Sequence, residues 1–314
     1  MWLIGPAIAP ASIAFLAPAG PNRYVGPGGG VALEVGREVP VVEVRGVELH
    51  YDQHGTRGDP TVLIHGSLVD STTWDRVVPG LARGVTLLTY DRRGYGRSTP
   101  GPRGSPVATD TEDLAALLEA TDFYPVHLVG NSYGGVVALR LAADRPELVR
   151  SLSLHEPPFF GLLADHAETA RLGEQYLAGI AAIRELVRAG DRSGAARAVV
   201  EVFSTTPGAW DRLPEATRSA FADTMDRWFE EYSDPDALRP RPAALRETLV
   251  PTLLTSGTES PSFLKAIEGL LAGQLANPTR REIAHASHAP HLTSPDQYVG
   301  LLLTFLLERN VPVS

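Results

Sequence analysis

Residues 126–135 read Val-His-Leu-Val-Gly-Asn-Ser-Tyr-Gly-Gly, and this stretch decides the fold. Gly130, Ser132 and Gly134 form the pattern G-x-S-x-G, with a strand pattern before them and a helical pattern after them. Glycines are needed because a sharp strand-to-helix turn leaves no room for Cβ atoms two residues on either side of the central serine. Such a turn raises the Ser132 hydroxyl above the sheet edge, where N–H groups of the following helix face any anion that forms. The stretch therefore predicts a nucleophilic serine.

Outward from this stretch, apolar strand patterns alternate with helical patterns. The strand patterns lie at residues 39–44, 47–51, 61–64, 85–90, 126–129, 149–154, 251–255 and 281–284, and the first two are typical of a hairpin. The helical patterns between them lie at residues 73–82, 111–120, 133–143, 261–275 and 295–307. Near-continuous apolar strands that alternate with helices predict an α/β fold, with a mostly parallel sheet of eight strands and helices on both faces.

The alternation stops between residues 157 and 249. This segment has no convincing strand pattern, and helical patterns lie at residues 164–188, 194–203 and 214–232. A helical insertion after a sheet strand predicts a cap over the carboxyl edge of the sheet, where open α/β sheets bind ligands. We therefore predict a core of residues 39–156 and 250–314 and a helical cap of residues 157–249.

Residues 1–38 are predicted to form an N-terminal extension that is loose or packed on the surface. Residues 1–20 carry no charged side chain, but Pro6, Pro10 and Pro18 interrupt any helix there. No basic residue precedes the apolar run, as a secretory signal requires, although Ala17-Pro18-Ala19 resembles a cleavage site. We expect a cytoplasmic protein, with secretion or anchoring as the alternative.

The composition excludes several classes of function. The 314 residues carry a net charge of −9, which argues against a nucleic-acid partner, and we expect no membrane partner. The chain has no cysteine, so disulfides, thiolate zinc sites, iron–sulfur clusters and cysteine nucleophiles are excluded. We expect neither a cofactor nor a metal. The sequence leaves the oligomeric state open.

Several further motifs accompany the G-x-S-x-G turn at characteristic places. They are His65-Gly66 after the third strand pattern, Trp74 eight residues after that glycine, the run Asp-Arg-Arg-Gly-Tyr-Gly-Arg-Ser at residues 91–98, and His288 near the end. Together they resemble the α/β-hydrolase fold superfamily, in its esterase, haloperoxidase-like and dehalogenase-like branch, over about residues 39–308. The resemblance implies a cofactor-free serine hydrolase that cleaves an apolar carboxylic ester or lactone through an acyl-enzyme.

The resemblance also implies which histidine activates the serine. A serine hydroxyl is a poor nucleophile without a positioned base, and the family's pattern G-H-x-x-H places that base at His288, with Ser287 where the family has glycine. A metal site formed by His285, His288 and His291 is disfavoured, because Pro290 opposes a helix and acidic co-ligands are scarce there. We expect His285 and His291 to be hydrogen-bonded loop residues.

The acid that orients the base is left open by the sequence. Most of the superfamily has an aspartate in G-x-x-D after the seventh strand, but here Ser260 stands at that place. Glu156 ends the sixth strand pattern, from which haloalkane dehalogenases take their acid, and it is the favoured candidate. Glu259, one position before Ser260, is the alternative, and a degenerate triad is the third possibility.

The resemblance implies an oxyanion hole made of the backbone N–H groups of Ser67 and Tyr133. The Tyr133 side chain is expected to narrow the substrate pocket. Five aromatic residues are the candidates for the pocket wall, namely Trp74, Phe159, Phe160, Trp210 and Trp228. Arg92, Arg93 and Arg97 are expected to support their turn rather than to bind an anion.

Other activities on the same scaffold are weighed against ester hydrolysis. The Gly-Asn-Ser-x-Gly-Gly turn also resembles that of C–C bond hydrolases, but no tryptophan closely follows His288, as it usually does in that group. A lyase or cyclase of specialised metabolism is a further alternative, and a catalytically weak ligand receptor is the non-enzymatic one. Epoxide and haloalkane hydrolysis both need an aspartate where this chain has Ser132.

Overall fold

The computed structural model describes residues 40–102, 106–240, 245, 249–276 and 278–308. Eight strands form one sheet: β1 (Val41–Val44), β2 (Val47–His54), β3 (Pro60–Ile64), β4 (Thr86–Tyr90), β5 (Val126–Asn131), β6 (Val149–His155), β7 (Thr252–Gly257) and β8 (Thr279–Ile283). Their order is β1-β2-β4-β3-β5-β6-β7-β8. β2 runs antiparallel to β1 and β4, and the other neighbours are parallel. The predicted eight-stranded, mostly parallel sheet is confirmed.

Twelve α-helices can be delimited in the described part of the chain. They are α1 (Val78–Leu81), α2 (Pro106–Ala120), α3 (Tyr133–Asp144), α4 (Phe160–Asp165), α5 (Ala170–Arg188), α6 (Arg192–Val202), α7 (Glu215–Asp223), α8 (Met225–Ser233), α9 (Pro235–Leu238), α10 (Ser262–Ala272), α11 (Pro290–Thr293) and α12 (Pro295–Glu308). Short 3₁₀ turns lie at Ser71–Trp74, Pro146–Leu148 and Trp210–Arg212.

The central strands β3–β7 bury both of their faces, as their apolar runs predict. Successive side chains of a strand point to opposite faces, so Val62 and Leu63 of β3 enter different hydrophobic clusters. Val62 packs in the cluster that contains Val137 of α3, and Leu63 packs in the cluster that contains Leu302 of α12. Helices therefore cover the sheet on both sides.

Three predicted helices are wrong as continuous helices. The pattern at residues 73–82 is a 3₁₀ turn followed by α1, because Pro79 is tolerated only in the first turn of a helix. Residues 164–188 contain the end of α4 and a separate α5, which approach so closely that a Cβ on Gly173 would lie 2.2 Å from the Ala164 nitrogen. Residues 214–232 divide at Thr224, whose hydroxyl donates to the Phe221 carbonyl at 2.9 Å.

The segment between β6 and β7, residues 157–249, is hereafter called the helical insertion. Its described residues contain α4–α9 and no strand. Its division from the sheet as a separate cap stays a prediction, and the predicted extension of residues 1–38 lies outside the described residues. None of the helices described is long and apolar enough to span a bilayer.

Candidate active site

Ser132 lies at the turn between β5 and α3 with strained backbone angles. Its φ is +53° and its ψ is −124°, in a region that residues with a side chain rarely adopt. The turn is tight enough that a Cβ on Gly130 would lie 2.5 Å from the Gly134 carbonyl oxygen, and one on Gly134 would lie 2.1 Å from the Ile64 carbonyl oxygen. The Ser132 amide donates to the His155 carbonyl at 2.9 Å. The two glycines are therefore required by backbone contacts.

The structure brings His288 and Glu156 together. The Nδ1 atom of His288 lies 2.8 Å from Oε2 of Glu156, and Oε1 of the same carboxylate accepts the Gly257 amide at 2.9 Å. The side-chain amide of Asn131 donates to the His288 carbonyl at 2.9 Å, and the ring of Phe203 stacks on the imidazole at 4.8 Å between centroids. These contacts fix the imidazole and engage its Nδ1 atom, so Nε2 is the nitrogen available to a substrate or to Ser132.

Glu156 is a charged residue in a buried place. Burial alone would raise its pKa, but His155, the hydrogen bond with His288 and the Ser260 hydroxyl together lower the pKa to about 2. His155 lies beside the same carboxylate, with Nε2 3.6 Å from Oε2, and burial lowers the pKa of His155 to about 4. At neutral pH this arrangement presents an ionised carboxylate to His288 and a neutral imidazole behind it.

Glu259 does not reach His288. Its side chain is 54% exposed, and Oε1 lies 3.6 Å from Nδ1 of the exposed His285. Its backbone amide donates to the Ala286 carbonyl at 2.9 Å, which fixes the loop and turns the side chain outward. Ser260, at the position where the family has its aspartate, is buried and helps to keep Glu156 ionised.

The loop after β3 lies against Ser132. A Cβ on Gly66 would be 3.2 Å from the Ser132 Cβ, and both Gly66 and Ser67 line the cavity that contains Ser132. Tyr133 is the first residue of α3, so its amide belongs to the helix terminus beside Ser132. The expectation that the Tyr133 ring narrows the pocket is wrong. The ring is buried beneath the turn, with the Arg92 guanidinium 4.7 Å from its centroid.

A cavity of about 800 Å³ opens above Ser132 and His288. The helical insertion supplies an apolar wall, formed by Val199, Val200, Phe203, Leu213, Phe221 and Trp228. Exposed polar and charged residues also border it, namely Arg76, Arg212, Glu259 and His285. The cavity therefore has an apolar wall within the insertion and charged groups where it meets solvent.

Of the five aromatic residues expected in the pocket wall, Trp228 lines this cavity and the other four do not. Trp74 is fully buried, with its ring centroid 4.5 Å from that of His291. Phe160 stacks on Phe263 at 5.6 Å, and Phe159 and Trp210 are also buried. These large side chains fill the protein interior, because burying them in a dry core is more favourable than exposing them in a cavity.

Several pocket residues that the sequence predictions missed come from α6 and the loop after it. Val199 and Phe203 are four residues apart, so they share a face of the helical segment that ends at the cavity. Helical spacing of this kind was a usable signal, but it does not say whether the face meets a core or a cavity.

The three histidines near the end of the chain lie in different surroundings. His291 is buried, with Nε2 2.8 Å from the Thr73 hydroxyl, and burial lowers its pKa to about 3. His285 is exposed and adopts a φ of +56°. The left-handed backbone conformation of this loop is therefore at His285, and position 287 does not require glycine. Among the described residues, no group of three or more side chains could hold a metal ion.

The arginines of residues 91–98 form ion pairs with carboxylates of their own turn and of neighbouring elements. Arg92 pairs with Asp110 and Glu231, Arg93 with Asp113, and Arg97 with Asp91 and Asp52. The expectation that they support the turn agrees with these contacts.

Comparisons with known proteins agree with this architecture. The model of the "Alpha/beta hydrolase family" matches residues 61–301. A protein of Variovorax paradoxus (strain S110) named "Putative carbamate hydrolase RutD" is 30% identical over 278 residues, which cover 84% of this chain and 98% of that protein.

Solved structures show the same fold. "Est816 as an N-Acyl homoserine lactone degrading enzyme" superimposes with a TM-score of 0.68 at 24% identity, over 85% of this chain and 100% of the other. The enol-lactonase from Burkholderia xenovorans LB400 does so with a TM-score of 0.66 at 23% identity, over the same shares of the two chains. The chain belongs to the alpha/beta hydrolase family, and it is a hydrolase of that family.

Proposed function

We propose that the protein is a serine hydrolase that cleaves an apolar carboxylic ester or lactone through an acyl-enzyme. The observation that carries the proposal is the 2.8 Å contact between Glu156 and His288, in a cavity whose floor contains the strained Ser132. A nucleophile on an elbow, a base and a buried orienting carboxylate are the parts that acyl transfer requires.

In the proposed reaction, the Ser132 hydroxyl oxygen attacks the substrate carbonyl carbon while its proton passes to Nε2 of His288. Glu156, ionised at neutral pH, stabilises the imidazolium without taking its proton. The backbone N–H groups of Ser67 and Tyr133 are the proposed donors to the oxyanion. His288 then protonates the leaving alcohol oxygen, and a water activated by the same imidazole hydrolyses the ester to Ser132.

The cavity supports a substrate with an apolar body. Its volume of about 800 Å³ lies in the usual range of pockets for small organic molecules. Six large, mainly apolar side chains of the insertion line it, and they favour an apolar substrate body. The names of similar proteins mention a lactone and a carbamate, and the same acyl-transfer chemistry cleaves the bond between the carbonyl carbon and the leaving group of either.

A fluorophosphonate probe tests the nucleophile directly. We expect mass spectrometry to locate one adduct on Ser132, and Ser132→Ala to abolish labelling and ester turnover while the protein stays folded. Ser204→Ala is the matched control, since Ser204 lines the same cavity and should leave labelling unchanged. Wild-type protein that neither labels nor hydrolyses any member of an ester and lactone panel would refute the proposed function.

A further inference from the structure

Glu231 of α8 is a buried carboxylate that reaches from the helical insertion to the loops beside Ser132. Its Oε1 atom accepts from Nη1 of Arg92 at 2.7 Å and from the Tyr95 hydroxyl at 2.9 Å. Its Oε2 atom accepts from the Ser67 hydroxyl at 2.6 Å. None of the glutamate side chain is exposed, so these contacts are made away from solvent.

Arg92 connects this carboxylate to the loop after β3. Its Nη2 atom donates to the Gly66 carbonyl at 2.9 Å, its Nε atom donates to the His65 carbonyl at 3.2 Å, and Nη1 also donates to Asp110 at 2.8 Å. Burial alone would lower the pKa of Arg92, but Glu231 and Asp110 raise it, so the guanidinium is charged. A buried charge needs such partners to remain in place.

These contacts, together with that of His65 Nδ1 with the Gly66 carbonyl at 2.8 Å, determine the direction of one peptide group. In a trans peptide the carbonyl and the N–H point in opposite directions, and the Gly66–Ser67 peptide is trans. Because the Gly66 carbonyl faces Arg92, the Ser67 N–H faces away from it. Gly66 and Ser67 line the cavity and Arg92 does not, so the Ser67 N–H points toward the cavity.

The next residue of α8 contacts the nucleophile itself. The buried Tyr232 phenol lies beside the side chains of Ser67 and Ser132, and its ring stacks on Trp228 at 4.5 Å between centroids. Burial raises the pKa of Tyr232 further above its ordinary value, so the phenol stays neutral. The same turn of α8 therefore contacts both Ser67 and Ser132.

We propose that Glu231 is a positioning residue for the oxyanion hole: by holding Ser67 and Arg92, it keeps the Ser67 N–H directed at the carbonyl oxygen of the substrate. The hole is then complete only while α8 is docked on the sheet. This inference rests on the proposed acyl-transfer function and adds a residue of the insertion to it.

Glu231→Gln tests the proposal, because glutamine keeps the length but removes the charge and one acceptor. We expect kcat for a p-nitrophenyl ester to fall by about 10- to 100-fold, with KM changed by less than about threefold, since a misdirected donor costs part of what a lost one does. The affinity of a boronic acid, which forms a tetrahedral adduct with the serine, should fall in parallel with kcat. A purely structural role would lower the melting temperature and leave both quantities unchanged for folded protein.

Glu230→Gln is the matched control. Glu230 precedes Glu231 in α8, but its carboxylate pairs with Arg227, so we expect wild-type kcat. Ser67→Ala removes the hydroxyl contact while keeping the backbone N–H, and we expect a loss of about tenfold. In the double variant with Glu231→Gln, the two losses should not multiply, because both changes disturb one arrangement.

Three results, each with an active wild type, would overturn the inference while the proposed function stands. The first is an unchanged kcat in folded Glu231→Gln, and the second is a pair of losses that multiply in the double variant. The third applies if Glu231→Gln fails to fold, and it is an unchanged kcat in Ser67→Ala. Wild-type protein that hydrolyses no ester and takes up no fluorophosphonate overturns the proposed function, and this inference with it.

Discussion

Oε2 of Glu156 lies 2.8 Å from Nδ1 of His288, so the carboxylate next to this imidazole belongs to the end of β6 and not to the loop after β7. Glu156 follows directly after β6 with a φ of +48°, and this left-handed turn accompanies the contact with His288. The seventh-strand loop instead supplies Ser260 and the Gly257 amide, both of which favour the ionised form of Glu156.

Glu156→Gln should lower kcat by about 10²–10⁴-fold with little change in KM, because the neutral amide keeps the shape but no longer stabilises the imidazolium. Glu259→Gln is the control, and its kcat should stay within about threefold of wild type, since that side chain pairs with His285 at the surface. Steady-state kinetics on one ester decide the matter, and the reverse order of losses would assign the acid to Glu259.

Gly134→Ala should destabilise the protein by more than about 3 kcal/mol, because its Cβ would meet the Ile64 carbonyl oxygen at 2.1 Å and the backbone would have to move. Gly179→Ala is the opposite control. Gly179 lies within α5 with no atom within 4 Å of the added Cβ, so we expect a gain of about 0.5–1 kcal/mol. Urea unfolding measures both, and a neutral Gly134→Ala would contradict the geometry of the turn.

Stability should fall on acidification well above the pH at which carboxylates titrate. Burial lowers the pKa of His155 to about 4 and that of His291 to about 3, while an unfolded histidine has a pKa of about 6.5. Below pH 6.5 the unfolded chain therefore binds more protons than the folded one. The stabilisation is complete above that pH and is lost, by about 1.4 kcal/mol per pH unit for each imidazole, until the pH reaches the folded pKa of that imidazole.

Urea unfolding at several values between pH 7 and pH 4 gives this slope. His291→Gln should reduce the slope by about 1.4 kcal/mol per pH unit, because the proton uptake of that imidazole is removed. His285→Gln should leave it unchanged, since that side chain is 86% exposed. Equal slopes in all three proteins would show that His291 does not titrate in this way.

Trp228→Phe should lower the preference for long acyl chains, because this indole lines the cavity. We expect the ratio of kcat/KM for p-nitrophenyl octanoate over the acetate to fall by about 3- to 10-fold. Trp210→Phe should leave that ratio within about twofold while lowering stability, since Trp210 is buried outside the cavity wall. An altered ratio in Trp210→Phe alone would place the acyl chain elsewhere.

The sheet was predictable because its central strands are apolar runs, which indicate burial on both faces, as Val62 and Leu63 illustrate. The places of Ser132 and His288 were predictable because both lie in local motifs. The acid was predictable only as a choice between alternatives. Glu156 and Glu259 each end a strand pattern, and their partners come from residues more than 20 positions away.

The cavity wall was mostly mispredicted because aromatic residues are equally suited to a core and a pocket. Glu231 was missed because no local motif surrounds it. A signal existed: it lies beside Trp228 and Tyr232 on the buried side of α8, where an unpaired carboxylate would be costly. Arg92 is buried in the fold and needs such a partner, but only the tertiary structure shows that Glu231 pairs with it.

With Glu156 as the proposed orienting acid, the loop after β7 contributes no side chain to the proposed triad. Glu259 borders the cavity, its backbone is held by the Ala286 carbonyl, and its side chain projects to solvent. Random mutagenesis at this position can thus diversify substrate selectivity without removing a reacting group, provided that Gly257 and Ser260 are kept. In a relative whose acid stands in that loop, the same mutations would risk inactivation. The proposed place of the acid therefore allows the residues that border the cavity after β7 to change without loss of a reacting group.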